Sequence, residues 1–214
     1  QQEPVEISEL ETTENNDLSK SSESITVDES IAEDILATQA DTAVVVGTVS
    51  DYLTAKGDAK LYNINLPAGV YLQAQLTTPA NADLDYDLYL LDAEGNILTG
   101  SDYYTYINGT AGTLPEALGY ITSGDTATYY LYVLASEGGS VSESFTLDYS
   151  VSTACDSYEI DESVRQALAF TYGAGGAYIE SRNLSSPIDN DWYVITVPSS
   201  RIYDKLKISA TTAS

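Results

Sequence analysis

The stretch Asp83-Leu84-Asp85-Tyr86-Asp87-Leu88-Tyr89-Leu90-Leu91, followed by Asp92-Ala93-Glu94-Gly95-Asn96, decides how this chain folds. Leu84, Tyr86, Leu88 and Leu90 alternate with Asp83, Asp85, Asp87 and Tyr89. A period of two belongs to a β-strand with one dry and one wet face. Residues 92–96 hold the Gly and Asn of a tight turn, and Ile97 and Leu98 open a partner strand. The segment is predicted to be a hairpin that buries its leucines and displays a ladder of carboxylates. Hairpins of this kind carry no evident catalytic machinery, which points toward a binding module.

Further strands are predicted outward from that hairpin, over 43–49, 60–66, 70–77, 103–107, 117–121, 127–134 and 144–151. Turn residues such as Lys56-Gly57-Asp58, Pro67-Ala68-Gly69, Ser123-Gly124-Asp125 and Glu137-Gly138-Gly139 separate them. Short strands at this spacing predict an all-β, antiparallel sandwich. Residues 1–24 hold seven carboxylates and one lysine among Ser, Thr and Asn, the composition of a disordered acidic tail. A short helix is expected over 28–40, with Ile31, Ile35 and Leu36 on one side.

The 214 residues suffice for one large or two small domains, and 43% hydrophobic content suffices for a core. Tyrosine supplies 18 aromatic residues against two Phe and one Trp; its ring packs on a sheet while its hydroxyl reaches water or a ligand. Thirty-three acidic against eight basic residues give a net charge of −25. Nucleic acid and anionic membrane surfaces are repelled by such a chain, so cations are its natural partners, unless the charge serves solubility alone. No apolar run approaches the roughly 20 residues of a membrane helix. A chain opening Gln-Gln-Glu-Pro with no Met reads as mature or trimmed. Cys155 is the single cysteine and the chain has no His to activate it, so it is expected to be a small buried or strand-end residue.

An internal repeat runs through the chain. Asp28-Glu29-Ser30-Ile31-Ala32 returns as Asp161-Glu162-Ser163-Val164-Arg165, and Asp58-Ala59-Lys60-Leu61-Tyr62-Asn63-Ile64 as Asp189-Asn190-Asp191-Trp192-Tyr193-Val194-Ile195. Pro67 is matched by Pro198, and residues 72–78 by 206–212. The second copy stops before any counterpart of the 83–96 hairpin. Half a sandwich leaves an open edge, so either the natural chain continues or the second unit leans on the first. The expected organisation is a tail over 1–24, a sandwich over 25–151 and a partial second unit over 152–214.

These motifs resemble those of the bacterial pre-peptidase C-terminal domain, a family that includes the collagen-binding modules of clostridial collagenases. The family's Asp-x-Asp-Leu-x-Leu strand and glycine turn match Asp85-Tyr86-Asp87-Leu88-Tyr89-Leu90 and Gly95. Its later Glu, glycine turn and Tyr-rich strand match Glu116, Gly124 and Tyr129-Tyr130-Leu131-Tyr132-Val133. Its acidic opening and Asp-x-Asp-aromatic-Tyr strand match Tyr158-Glu159-Ile160-Asp161-Glu162 and Asp189-Asn190-Asp191-Trp192-Tyr193. The resemblance implies a jelly-roll-like sandwich, secretion or a bacterial cell-surface location, and a place beside an extracellular catalytic domain or on a surface protein. It also implies, as in some members of the family, a calcium ion tying the acidic opening segment to the sandwich. In the first copy Thr26 and Lys60 replace expected acids, and a cation there opposes a metal. The second copy keeps Glu159, Asp161, Glu162, Asp189 and Asp191, and carboxylates so grouped suit the six to eight oxygen ligands of calcium. The alternative is that they are solvated turn and cap residues.

Asp83, Asp85 and Asp87 lie roughly 7 Å apart on one face, too far to share one small ion, so the ladder is expected to serve structure or solubility. Paired carboxylates also suit glycoside hydrolysis, the least favoured reading. Tyr103, Tyr104 and Tyr106 are expected on a strand adjacent to that of Tyr129, Tyr130 and Tyr132. Tyr104, Tyr130 and Tyr132 would then form a flat surface for a polypeptide or glycan outside the cell, or simply pack across strands. Asn108-Gly109-Thr110 marks a turn, and Gly173-Ala174-Gly175-Gly176 a hairpin loop. The expected function is that of a secreted, non-catalytic binding or accessory module with structural calcium, with a carbohydrate-binding module as the alternative.

Overall fold

Strict alternation in residues 83–90 leaves the chain one way to hide Leu84, Leu88 and Leu90, which is to lay them against a second sheet. The computed structural model describes residues 22–24, 44–81, 83–102, 105–107, 110–112, 115–153, 155, 158–171, 184 and 186–196. Its strands are β1 (Ser22–Ser24), β2 (Val44–Asp51), β3 (Ala59–Leu66), β4 (Tyr71–Thr77), β5 (Asp85–Leu91), β6 (Ile97–Ser101) and β7 (Thr105–Ile107). There follow β8 (Thr110–Gly112), β9 (Glu116–Ile121), β10 (Ala127–Glu137), β11 (Phe145–Ser152), β12 (Leu168–Thr171) and β13 (Tyr193–Thr196). One sheet has the order β1-β3-β10-β5-β6 and the other β2-β11-β4-β9. From β2 to β11 the chain changes sheet at each step between main-sheet strands except in the β5–β6 hairpin. That is the winding of a jelly roll. The fold is all-β, and no described helix is long and apolar enough to cross a membrane.

The inner faces meet as the alternation requires. Tyr86, Leu88 and Leu90 are wholly buried, and Leu84 packs beside them half-buried. Across the register Leu90 faces Leu131, Leu88 faces Val133 and Tyr86 faces Ala135. From the opposite sheet come Leu72, Ala74 and Leu76 on β4 and Phe145, Leu147 and Val151 on β11. The rings of Tyr86 and Phe145 meet edge to face at 6.2 Å, and the Tyr86 hydroxyl donates to the Leu53 carbonyl at 3.2 Å. Each such leucine contributes roughly 1.5–3 kcal/mol. The turn into β6 is also as expected. Gly95 takes a φ of 86°, while the Asp92 carboxylate accepts from the backbone N–H of Glu94 and of Asn96 at 3.0 and 2.7 Å.

Several expectations need correction. Asp87 is not displayed to solvent; it is buried on the outer face, where Ser136 Oγ and the Tyr89 hydroxyl donate to it at 3.3 and 3.4 Å. The wet side of β5 is wet only at its start, because the Tyr89 and Tyr132 rings pack there at 6.1 Å. Strand β7 does not lie beside β10: it pairs with β8, and β10 already has β3 and β5 on its two flanks. Ser22–Ser24, placed in the acidic tail, pairs in parallel with β3. Cys155 is exposed, three residues beyond β11. Strands β8 and β12 had not been expected. Residues 28–40, Pro198, 206–212, 173–176 and Asn108-Gly109 lie outside the described residues.

Candidate metal centre

On β4 the core claims Leu72, Ala74 and Leu76, which turns Tyr71 and Gln73 outward. Outward residues of a sandwich are ordinarily wet, yet Tyr71 is 2% and Gln73 1% exposed. Their cover is the segment that follows the sandwich. The Tyr71 hydroxyl donates to Glu159 Oε2 at 2.7 Å and also to Glu162 Oε1. Gln73 Nε2 donates to the same Glu162 oxygen at 2.6 Å. Gly119 lies opposite Gln73 in the register. A Cβ there would collide with Glu162 Oε2 and Ile160 Cγ2, so any side chain at 119 would displace this carboxylate from its place on the sheet.

The acidic residues singled out in the sequence converge on this place. One carboxylate oxygen from each of Glu159, Asp161 and Glu162 lies within 4.8 Å of the others, and the same holds for Glu159, Asp189 and Asp191. Glu159 belongs to both triads. Asp161, Glu162 and Asp189 are buried, while Glu159 and Asp191 are half-buried. Two backbone bonds bring the distant halves together: Trp192 N–H donates to the Asp161 carbonyl at 2.9 Å, and Leu168 N–H to the Trp192 carbonyl at 2.9 Å. These bonds flank the parallel pair β12–β13. Asp191 is further held by the Tyr193 hydroxyl at 3.1 Å.

The carboxylates crowd one another. At about 4.8 Å two ionised carboxylates repel by roughly 3–4 kcal/mol at an effective dielectric near 20. Burial pushes the Glu159 carboxyl up to about 8; the Tyr71 hydrogen bond opposes this, and the charges of Glu162, Asp189 and Asp161 add to it. Glu162 is raised as well, first by burial, against the hydrogen bonds from Gln73 and Tyr71. The Tyr71 hydroxyl is held protonated by burial and by the Glu162 charge, so it remains a donor. Protons or a metal ion would relieve this crowding, and either triad could hold a metal ion. Glu162 Oε2 itself is buried and accepts no hydrogen bond among the described residues, an oxygen available to a ligand.

Sequence reasoning missed the residues the sandwich contributes, Tyr71, Gln73 and Gly119, and also Gln166 in the segment that packs on it. One signal was present, since a glycine inside the apolar run of β9 marks a close approach. Lys60, at the place of an expected acid, pairs with Asp51 at 2.8 Å. The tyrosine surface is only partly in view. Tyr130 and Tyr132 stand half-buried on the outer face of β10, and Tyr104 lies outside the described residues.

No protein-family model and no curated protein matches the chain significantly. Among solved structures it is similar to the pre-peptidase C-terminal domain of a Bacillus anthracis collagenase, at 16% identity and a TM-score of 0.33, over 50% of this chain and 89% of that one. A periplasmic inhibitor of g-type lysozyme from Aeromonas hydrophila has 10% identity and a TM-score of 0.34, over 61% and 96%. The Yersinia pseudotuberculosis-derived mitogen has 16% identity and a TM-score of 0.34, over 53% and 90%. At these scores nothing passes from those proteins to this chain.

Proposed function

We propose that this chain is a secreted, non-catalytic accessory module whose acidic centre takes a structural calcium ion. The observation that carries this reading is the convergence of Glu159, Asp161, Glu162, Asp189 and Asp191 from two stretches of chain, with a buried Glu162 oxygen to spare. An all-oxygen donor set in a chain without histidine favours a hard cation over zinc or copper. The motif resemblance supports the same assignment. In this reading residues 25–151 form one complete unit and 152–214 a partial second of the same type. The module stands beside an extracellular hydrolase domain or on a cell surface, and positions a polypeptide or glycan there. Tyr130 and Tyr132, half-buried on the outer face of β10, would meet such a ligand, and Tyr104 is assigned to the same surface from the sequence alone.

Thermal melting of the chain in calcium and in chelator tests the metal. An ion that binds only the folded state at a hundredfold excess over Kd adds roughly 2.7 kcal/mol. A rise in Tm with calcium is expected, and the Asp189→Ala variant should lose it. Identical melting curves in calcium and chelator would end the metal assignment.

A further inference from the structure

Every outermost strand of a sandwich leaves one row of backbone N–H and C=O groups without a strand partner. Here the outermost strands are β1 and β6 in one sheet and β2 and β9 in the other. Three of them carry a device that blunts the edge. Strand β1 is three residues long with Glu23 at its middle. Strand β6 has five residues and a register shift against β5 at Leu90/Leu91. Strand β9 is met by the Gln166 amide, whose Nε2 donates to the Gly119 carbonyl at 2.9 Å and whose Oε1 accepts from the Gly119 N–H at 3.2 Å. Strand β2 has no such device. It runs for eight residues, Val44–Asp51, pairs in unbroken register with β11 and, among the described residues, with no other strand. Residues 44–50, Val-Val-Val-Gly-Thr-Val-Ser, hold no charge and no Pro. Val46, Thr48 and Ser50 are exposed, and Val49 packs on the core.

From this contrast we infer that β2 is an interaction edge, and that its partner is the β2 strand of a second copy of this chain, paired antiparallel across a two-fold axis near Gly47. Such pairing joins two four-stranded sheets into one of eight. Charge selects the occupant. A partner drawn by the net charge of −25 is cationic, and a cationic strand finds no carboxylate to meet between Val44 and Ser50. A neutral strand already held extended fits this edge, and β2 is such a strand. The acids nearest the axis stay apart in the pair. The two Asp51 residues fall at opposite ends, roughly 27 Å from each other at about 3.4 Å per residue, and Asp51 is already paired with Lys60 at 2.8 Å. Asp148, on β11 opposite Thr48, faces its copy across three strand spacings. That is roughly 14 Å, beyond the screening length of about 8 Å at 0.15 M salt.

Sedimentation of the full chain over a range of concentrations tests this, with reductant present so that the exposed Cys155 takes no part. One chain should pass to two as concentration rises, and no further, because the pair consumes the open edge. Raising sodium chloride from 0.15 M to 0.5 M should tighten the dimer, since salt screens the repulsion between the two acidic bodies. Val46→Glu puts two carboxylates roughly 7–8 Å apart across the pair and should weaken the dimer at least tenfold, while Val46→Thr should stay within twofold of wild type. Hydrogen exchange on the same wild-type samples should slow at residues 44–51 as the dimer forms and stay unchanged in β4. That measurement decides the matter should Val46→Glu lose its sheet spectrum. A single chain at every concentration and salt would overturn the inference. So would a dimer that salt weakens, one that Val46→Glu leaves within twofold of wild type, or one that forms with exchange at 44–51 unaltered.

Discussion

Asp87 shows what a single carboxylate experiences when aromatic rings close over a nominally wet face. Burial, then the charges of Asp85 and Asp102, push its carboxyl up to about 7, against weak hydrogen bonds from Ser136 and Tyr89. Between roughly pH 4 and 7 the folded chain therefore holds a proton at this site that the unfolded chain has released. The folded state's advantage from that proton is complete below about pH 4 and is lost as pH rises through 7. Asp87→Asn should remove this slope. In chelator, the stability of the variant relative to wild type should grow by roughly 1–3 kcal/mol between pH 5 and pH 8. Equal denaturant midpoints for the two proteins at pH 8 would show that Asp87 is not held up as described. A lone Asp in an alternating run reads as wet; its burial follows from the Tyr89 and Tyr132 rings beside it, which meet only once β5 and β10 pair.

Strand β5 and its turn were legible in residues 83–96 because everything they need is local: alternation, an Asx-supported turn, and a glycine with positive φ. The strand's energetic weight comes from Leu88 and Leu90, buried between β10 and the opposite sheet. Leu88→Ala should cost about 2–5 kcal/mol in urea unfolding, whereas Asp83→Ser, at the exposed start, should stay within about 0.5 kcal/mol. A Leu88→Ala cost below 1 kcal/mol would mean that β5 is not a core strand. Other elements were less legible. β12 contains only four residues and takes its partner β13 from more than twenty residues away, so no local pattern announces it. Strand β7 was assigned the wrong neighbour because strand order depends on which flank of β10 is already filled.

At the scale of the whole molecule, a net charge of −25 makes compaction a contest between apolar burial and self-repulsion. Raising potassium chloride from 0.1 M to 1 M shortens the screening length from roughly 10 Å to about 3 Å. In chelator this should raise the Tm by several degrees, since about 1 kcal/mol moves a chain of this size by roughly 2–4 °C. A flat or falling Tm by calorimetry would show that the charge is already balanced within the fold. Periodicity, turn residues and composition were enough to predict an all-β sandwich, while the five acidic residues were singled out by the motif resemblance. That is because backbone period and charge are properties of neighbours in the chain. Packing alone put Tyr71, Gln73 and Gly119 around those acids, wrapped rings over Asp87 and chose the partners of β7 and β12. Contacts between residues some 90 positions apart are set by the winding of two sheets, and no local stretch of sequence encodes them.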